Sequence, residues 1–128
     1  LLLATAVAIH SLAPFRAAAA PVPFRWTPFG GFLGGSMLIN AQNLFEKAFF
    51  YGALVWLLRE AGLGLAWAGG LAAAFLLGIE ALQTRFSGHT PEITDPLFAL
   101  FAAVFLGFAD RPCPPAPPIS LQSESAKE

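Results

Sequence analysis

The stretch LGLAWAGGLAAAFLLGIEALQ at residues 63–83, followed by TRFSGHTPEITDP at 84–96, decides how this chain is read. The first part is an apolar run rich in small residues, long enough to cross the roughly 30 Å hydrocarbon layer of a bilayer at about 1.5 Å per residue. It carries no charge until Glu80. A charged side chain costs about 2.5 to 3.5 kcal/mol at the centre of a membrane helix and less toward its edge, so Glu80 needs a partner or access to water. Intramembrane acids tend to mark working sites, and function is therefore sought between Glu80 and Asp95. The plainer role for Glu80 is to reach the headgroup level from the end of its helix.

Composition agrees with a membrane chain. Of 128 residues, 56% are hydrophobic and 12% charged, with a mean hydropathy of +0.64. Soluble domains carry about a quarter charged residues. The length allows three or four helices with short connections and leaves no room for a separate soluble domain. A net charge of -1 without clusters of Lys and Arg argues against nucleic-acid binding. The single cysteine, Cys113, excludes an internal disulfide and a two-thiol metal or redox site.

Working outward, residues 1–13 read as the last turns of a transmembrane helix begun further upstream, ended by Pro14. The basic start of a signal peptide is missing. Residues 14–36 hold four prolines and two Gly-Gly pairs together with Phe24, Arg25 and Trp26, which suits an interfacial loop at headgroup level. Helices are predicted over about 37–58, 63–83 and 96–109, hinged at Ala61-Gly62. Trp56 and Trp67 then stand at one membrane level. The last helix is short for a full span, and Asp95 before Pro96 has the form of an N-cap. The proline-rich tail at 110–128 reads as disordered. The fold class expected is all-α, a small polytopic transmembrane helical bundle, with 37–109 as its principal membrane domain.

Asn40, Gln42, Asn43, Glu46 and Lys47 interrupt the second helix at helical spacing, so most fall on one stripe that must face protein. Folding the hairpin sets Glu80 opposite Asn43 and Gln83 opposite Asn40. Lys47 then lies roughly 5 Å deeper, within reach of its own stem. A polar cluster of Asn43, Lys47, Glu80 and Gln83 is predicted.

Glu80-x-x-Gln83, Gly88, Glu92-Ile93 and Asp95 opening an apolar helix also fall at the intervals of a known pattern. Over residues 40–107 the chain resembles the VanZ-like membrane proteins. His89 stands where that family has arginine and Ala99 where it has asparagine, which replaces a permanent cation by a titratable one. The resemblance implies a multi-pass protein of the bacterial cytoplasmic membrane with a role at the cell envelope. The family's namesake is linked to resistance toward the glycopeptide teicoplanin. A pocket of Glu80, Gln83, His89, Glu92, Asp95 and Arg85 would take a lipid-linked, sugar-bearing, anionic or glycopeptide group at the bilayer surface, a role in antibiotic resistance or envelope polysaccharide handling.

Other classes stay open. A small transporter or proton-coupled subunit would use Lys47 and Glu80 along a path through the bundle. A structural membrane module of a larger protein would use the polar cluster only to lock packing. An enzyme acting on lipid-linked substrates needs a nucleophile or metal, and no phosphate loop, nucleophile elbow or Cys-His pair is present. His89, Glu92 and Asp95 have a suggestive spacing, but Pro91 keeps them off one regular helix and a zinc site calls for more His or Cys. No cofactor or metal is expected.

Overall fold

The computed structural model describes residues 1–30 and 36–110, and these form four α-helices with no strand among them: α1 (Leu2–Leu12), α2 (Met37–Glu60), α3 (Leu65–Gln83) and α4 (Thr94–Ala109). Helix α3 is the centre. It packs most extensively on α4, both pack on α2, and α1 leans on α3 and α2. The fold is thus all-α, as the composition led one to expect. The tail, with Cys113, lies outside the described residues apart from Asp110, as do residues 31–35 of the expected interfacial loop.

The hairpin between α2 and α3 closes at Gly62. Its φ of +98° is a left-handed conformation that glycine adopts without penalty. Gly62 N–H donates to the Arg59 carbonyl at 2.9 Å and Leu63 N–H to the Leu58 carbonyl at 3.3 Å. That pair of bonds is a Schellman closure, which satisfies carbonyls the helix would leave open. It carries α2 on to Glu60, two residues beyond Leu58, where an end was expected. Trp56 and Trp67 flank the turn and stay exposed.

Helix α3 buries Ala68, Gly69, Ala72, Leu76, Ile79, Glu80 and Gln83, a stripe at helical spacing that changes from small to large to polar along its length. At the small end, a Cβ built on Gly69 would sit 2.6 Å from the Ala103 Cβ of α4. The two backbones approach there because neither residue projects far. Gly70 and Gly78, in the same run of small residues, face open space. Two ion pairs tie α2 to α4: Lys47 to Asp95 near the start of α4 and Arg59 to Asp110 at its end, both at 2.5 Å.

The outside of this bundle is greasy. Phe49, Leu71, Phe101, Val104 and Phe105 are more than half exposed, while the fully buried side chains include nothing larger than Leu76. Soluble monomers seldom leave so continuous an apolar surface open. By length and composition α3 is the one helix among the described residues that suffices to cross a membrane; α1 and α4 are shorter apolar helices. Helix α2 is the longest, at 24 residues, but carries the polar stripe.

Residues 14–30 do more than lie at an interface. They run beside the loop 84–93 and exchange backbone hydrogen bonds with it. Ala18 N–H donates to the Arg85 carbonyl, Val22 N–H to that of Thr84, Arg25 N–H to that of Pro91, and Ser87 and Ile93 N–H return bonds to Arg16 and Arg25, all at 2.7 to 3.1 Å. Two irregular segments satisfy each other's main chain, which is what allows both to be covered. The Phe29 ring seals the edge against Phe98, with centroids 5.6 Å apart.

Candidate functional site

Five polar or charged side chains are buried among the described residues, and they adjoin in sequence: Glu80, Gln83, Glu92, Thr94 and Asp95. They sit where the end of α3, the loop after it and the first turn of α4 meet the middle of α2. Buried polar groups are stable only when partnered, so their partners define the site.

Asp95 is the most engaged. Lys47 Nζ donates to its Oδ1 and the Tyr51 hydroxyl to its Oδ2, each at 2.5 Å. Lys47 and Tyr51 are one turn apart on α2 and therefore project to the same place. This corrects the N-cap reading of Asp95. Helix α4 begins at Thr94, no side chain caps it, and Asp95 lies inside the first turn. Pro96 is tolerated there because the N–H groups of the first turn have no intrahelical partner. Lys47, expected in a cluster with Glu80, makes its ion pair with Asp95 on α4.

Glu80 instead holds the loop. Its Oε2 accepts the backbone N–H of Glu92 at 2.8 Å, and its carboxyl neighbours that of Asp95. Gln83 donates from Nε2 to the Ser11 carbonyl at 2.9 Å and so ties α3 to the end of α1. Glu92 accepts the Thr94 hydroxyl at 3.2 Å through Oε2, and Thr94 Oγ1 accepts the Phe29 N–H at 2.9 Å. Arg25 Nη1 stands 3.8 Å from Glu92 Oε1, too far for a hydrogen bond. Among the described residues two buried atoms have no hydrogen-bond partner, Glu92 Oε1 and His89 Nε2.

All of these groups border one cavity of about 650 Å³, open on one side and closed by α1, α2, α3 and the loop 88–95. The predicted cluster of Asn43, Lys47, Glu80 and Gln83 lines it entirely, with Asn40 and Glu46, whereas Gln42 does not. Of the loop residues, His89, Glu92 and Asp95 line it. Arg85 is exposed and outside the lining. His10 lies at the rim 3.5 Å from Glu46, with its side chain 76% exposed.

Tyr51, Thr94, Ser11 and Arg25 were not anticipated as site residues. Tyr51 had a signal, its position one turn after Lys47. Arg25 had none, because its approach to Glu92 depends on how two irregular segments pair. Beyond Tyr51 toward the hairpin end, the core is apolar: Leu54, Val55, Ala68, Ala72, Leu76, Ala99 and Ala103. No family model, no curated protein and no solved structure matches the chain.

Proposed function

We propose that the chain is a VanZ-like, multi-pass protein of the bacterial cytoplasmic membrane, and that its cavity receives the polar headgroup of an envelope lipid or glycopeptide. One observation carries the reading: acids and amides are turned inward around an open-sided cavity, while aromatic and aliphatic side chains face out. That polarity is the reverse of a soluble bundle's and is stable where the surroundings are hydrocarbon. Helix α3 spans, α2 joins it with its polar stripe turned to the cavity, and the shorter α1 and α4 complete the bundle by tilting or by thinning the bilayer locally.

Hydrogen-bond acceptors dominate the lining. Lys47 is engaged by Asp95, and Arg85 is absent from the lining. This favours a headgroup that donates, such as one bearing hydroxyl or amino groups, over a purely anionic one. The transporter reading is less well supported, since the polar network stops at Tyr51 and continues into a wholly apolar core. The packing-only reading leaves the open-sided cavity without a purpose.

Glu80→Gln provides the test. Glutamine keeps an acceptor for the Glu92 N–H and removes the acid. Protein purified from membranes in mild detergent should retain about tenfold less headgroup-bearing lipid per chain in this variant than in wild type. Equal retention at equal abundance removes the reading.

A further inference from the structure

The two irregular segments that pair over one end of the bundle carry its unmatched cations. Lys47 and Arg59 are ion-paired at 2.5 Å, and Arg25 stands 3.8 Å from Glu92. Among the described residues Arg16 and Arg85 have no acid within ion-pair distance, and both are exposed. Residues 14–30 contain no Asp or Glu, and residues 84–93 contain only Glu92, which is buried. The opposite end of the bundle differs, because Arg59 is answered there by Asp110 and adjoins Glu60.

The fold holds these two arginines side by side. Ala17 and Phe86 form an antiparallel bridge, closed by the Ala18 N–H to the Arg85 carbonyl at 2.9 Å and by the Ser87 N–H to the Arg16 carbonyl at 2.7 Å. Side chains alternate across such a pairing, and the Phe15 and Phe86 rings accordingly meet edge-on, centroids 6.3 Å apart, on the face of the bridging pair. Arg16 and Arg85 share the other face as diagonal neighbours, about 7 to 8 Å apart. Their carbonyls make the bridge, so their guanidinium groups are not needed to hold it. Two like charges kept at that spacing without an acid favour an anion between them.

Exposed rings flank the pair. Phe15 is 53% exposed and Trp26 75%, the latter with its ring 4.9 Å from that of Phe24. Aromatic side chains next to arginine suit the headgroup layer of a bilayer. We infer that Arg16 and Arg85 form a clamp, outside the cavity, for the phosphodiester of an anionic phospholipid. Each guanidinium presents a planar fork that matches two phosphate oxygens, and two forks on one phosphate relieve their mutual repulsion. The rings beside them are covered only if that phosphate belongs to a lipid. The inference rests on the membrane setting of the proposed function and not on what fills the cavity.

The experiment reconstitutes the whole chain into vesicles of equal parts phosphatidylglycerol and phosphatidylcholine, extracts it in mild detergent, and reads the lipid that stays with it by mass spectrometry. Phosphatidylglycerol should be retained about tenfold over phosphatidylcholine, and joint Arg16→Gln and Arg85→Gln should bring the ratio close to one while leaving the main-chain bridge in place. A second arm needs no variant: raising the salt from about 50 mM to about 500 mM during extraction should remove most of the wild-type preference, because salt screens exposed charges. Equal retention of the two lipids by wild type, or a preference that survives the double substitution or high salt, overturns the clamp. So does release of phosphatidylglycerol by equimolar inorganic phosphate, which makes the site one for a free anion. If Glu80→Gln still lowers total retention in those cases, the cavity reading survives them. A chain that does not enter the vesicles at all sinks both.

Discussion

Asp95 accepts from both Lys47 and Tyr51, and this makes asparagine at that position informative. Asparagine caps helices as well as aspartate does, so a residue that only capped α4 would tolerate Asp95→Asn without loss. The structure predicts otherwise. Lys47, its side chain 37% exposed, would lose its counter-ion and the Tyr51 hydroxyl a charged acceptor, and the variant should be destabilised by about 1 to 3 kcal/mol. Tyr51→Phe removes one bond from the same carboxylate and should cost about 1 to 2 kcal/mol. Unfolding in detergent measures both, and a stable Asp95→Asn variant would return Asp95 to the capping role. At this scale the sequence singled out four of the five buried polar side chains among the described residues. Glu80, Gln83, Glu92 and Asp95 are conspicuous because acids and amides beside apolar helices must find partners. Which partner each would take was not legible, since Lys47 can reach either α3 or α4 and only the packing angle decides.

Among the elements, the contact between α3 and α4 is set by side-chain size. Gly69 has no room for a methyl group against Ala103, while Gly70, the next residue, looks into open space. Gly69→Ala should therefore destabilise the bundle by about 1 to 3 kcal/mol through overpacking. Gly70→Ala should be neutral or slightly stabilising, given alanine's greater helix propensity. A detergent melting series compares the two directly, and equal effects would mean that the α3–α4 approach is not as close as described. The hairpin itself was readable from sequence, because Gly62 after a charged pair is a strong stop and apolar periodicity resumes at once. The start of α4 was misplaced by two residues, as proline in a first turn is compatible with more than one register. The pairing of residues 14–30 with 84–93 left no trace in the sequence. It is made by main-chain groups of irregular segments, which carry neither period nor side-chain pattern.

For the whole molecule, the essential feature is reversed polarity. Side chains that a soluble protein would bury, such as Phe49, Leu71 and Val104, point outward at 70%, 51% and 57% exposure, and Glu80 and Asp95 are buried at 4% and 6%. Composition pointed to a membrane chain from the outset, and the all-α class expected with it is the one the structure has. Among the described residues only α3 is long and apolar enough to cross a bilayer, since α1 and α4 are short and α2 carries its polar stripe along one face. On the proposed membrane reading, hydrocarbon surrounds this bundle and leaves the polar cavity inside. Nitroxide labels placed one at a time at Phe49, Leu71 and Val104, on α2, α3 and α4 in a Cys113→Ser background, test it in reconstituted bilayers. Collision with dissolved oxygen should exceed collision with a water-soluble nickel chelate at all three positions, and a label at Thr90 in the loop should show the opposite order. Ready access of the nickel chelate to Phe49, Leu71 and Val104 would contradict a membrane-enclosed bundle.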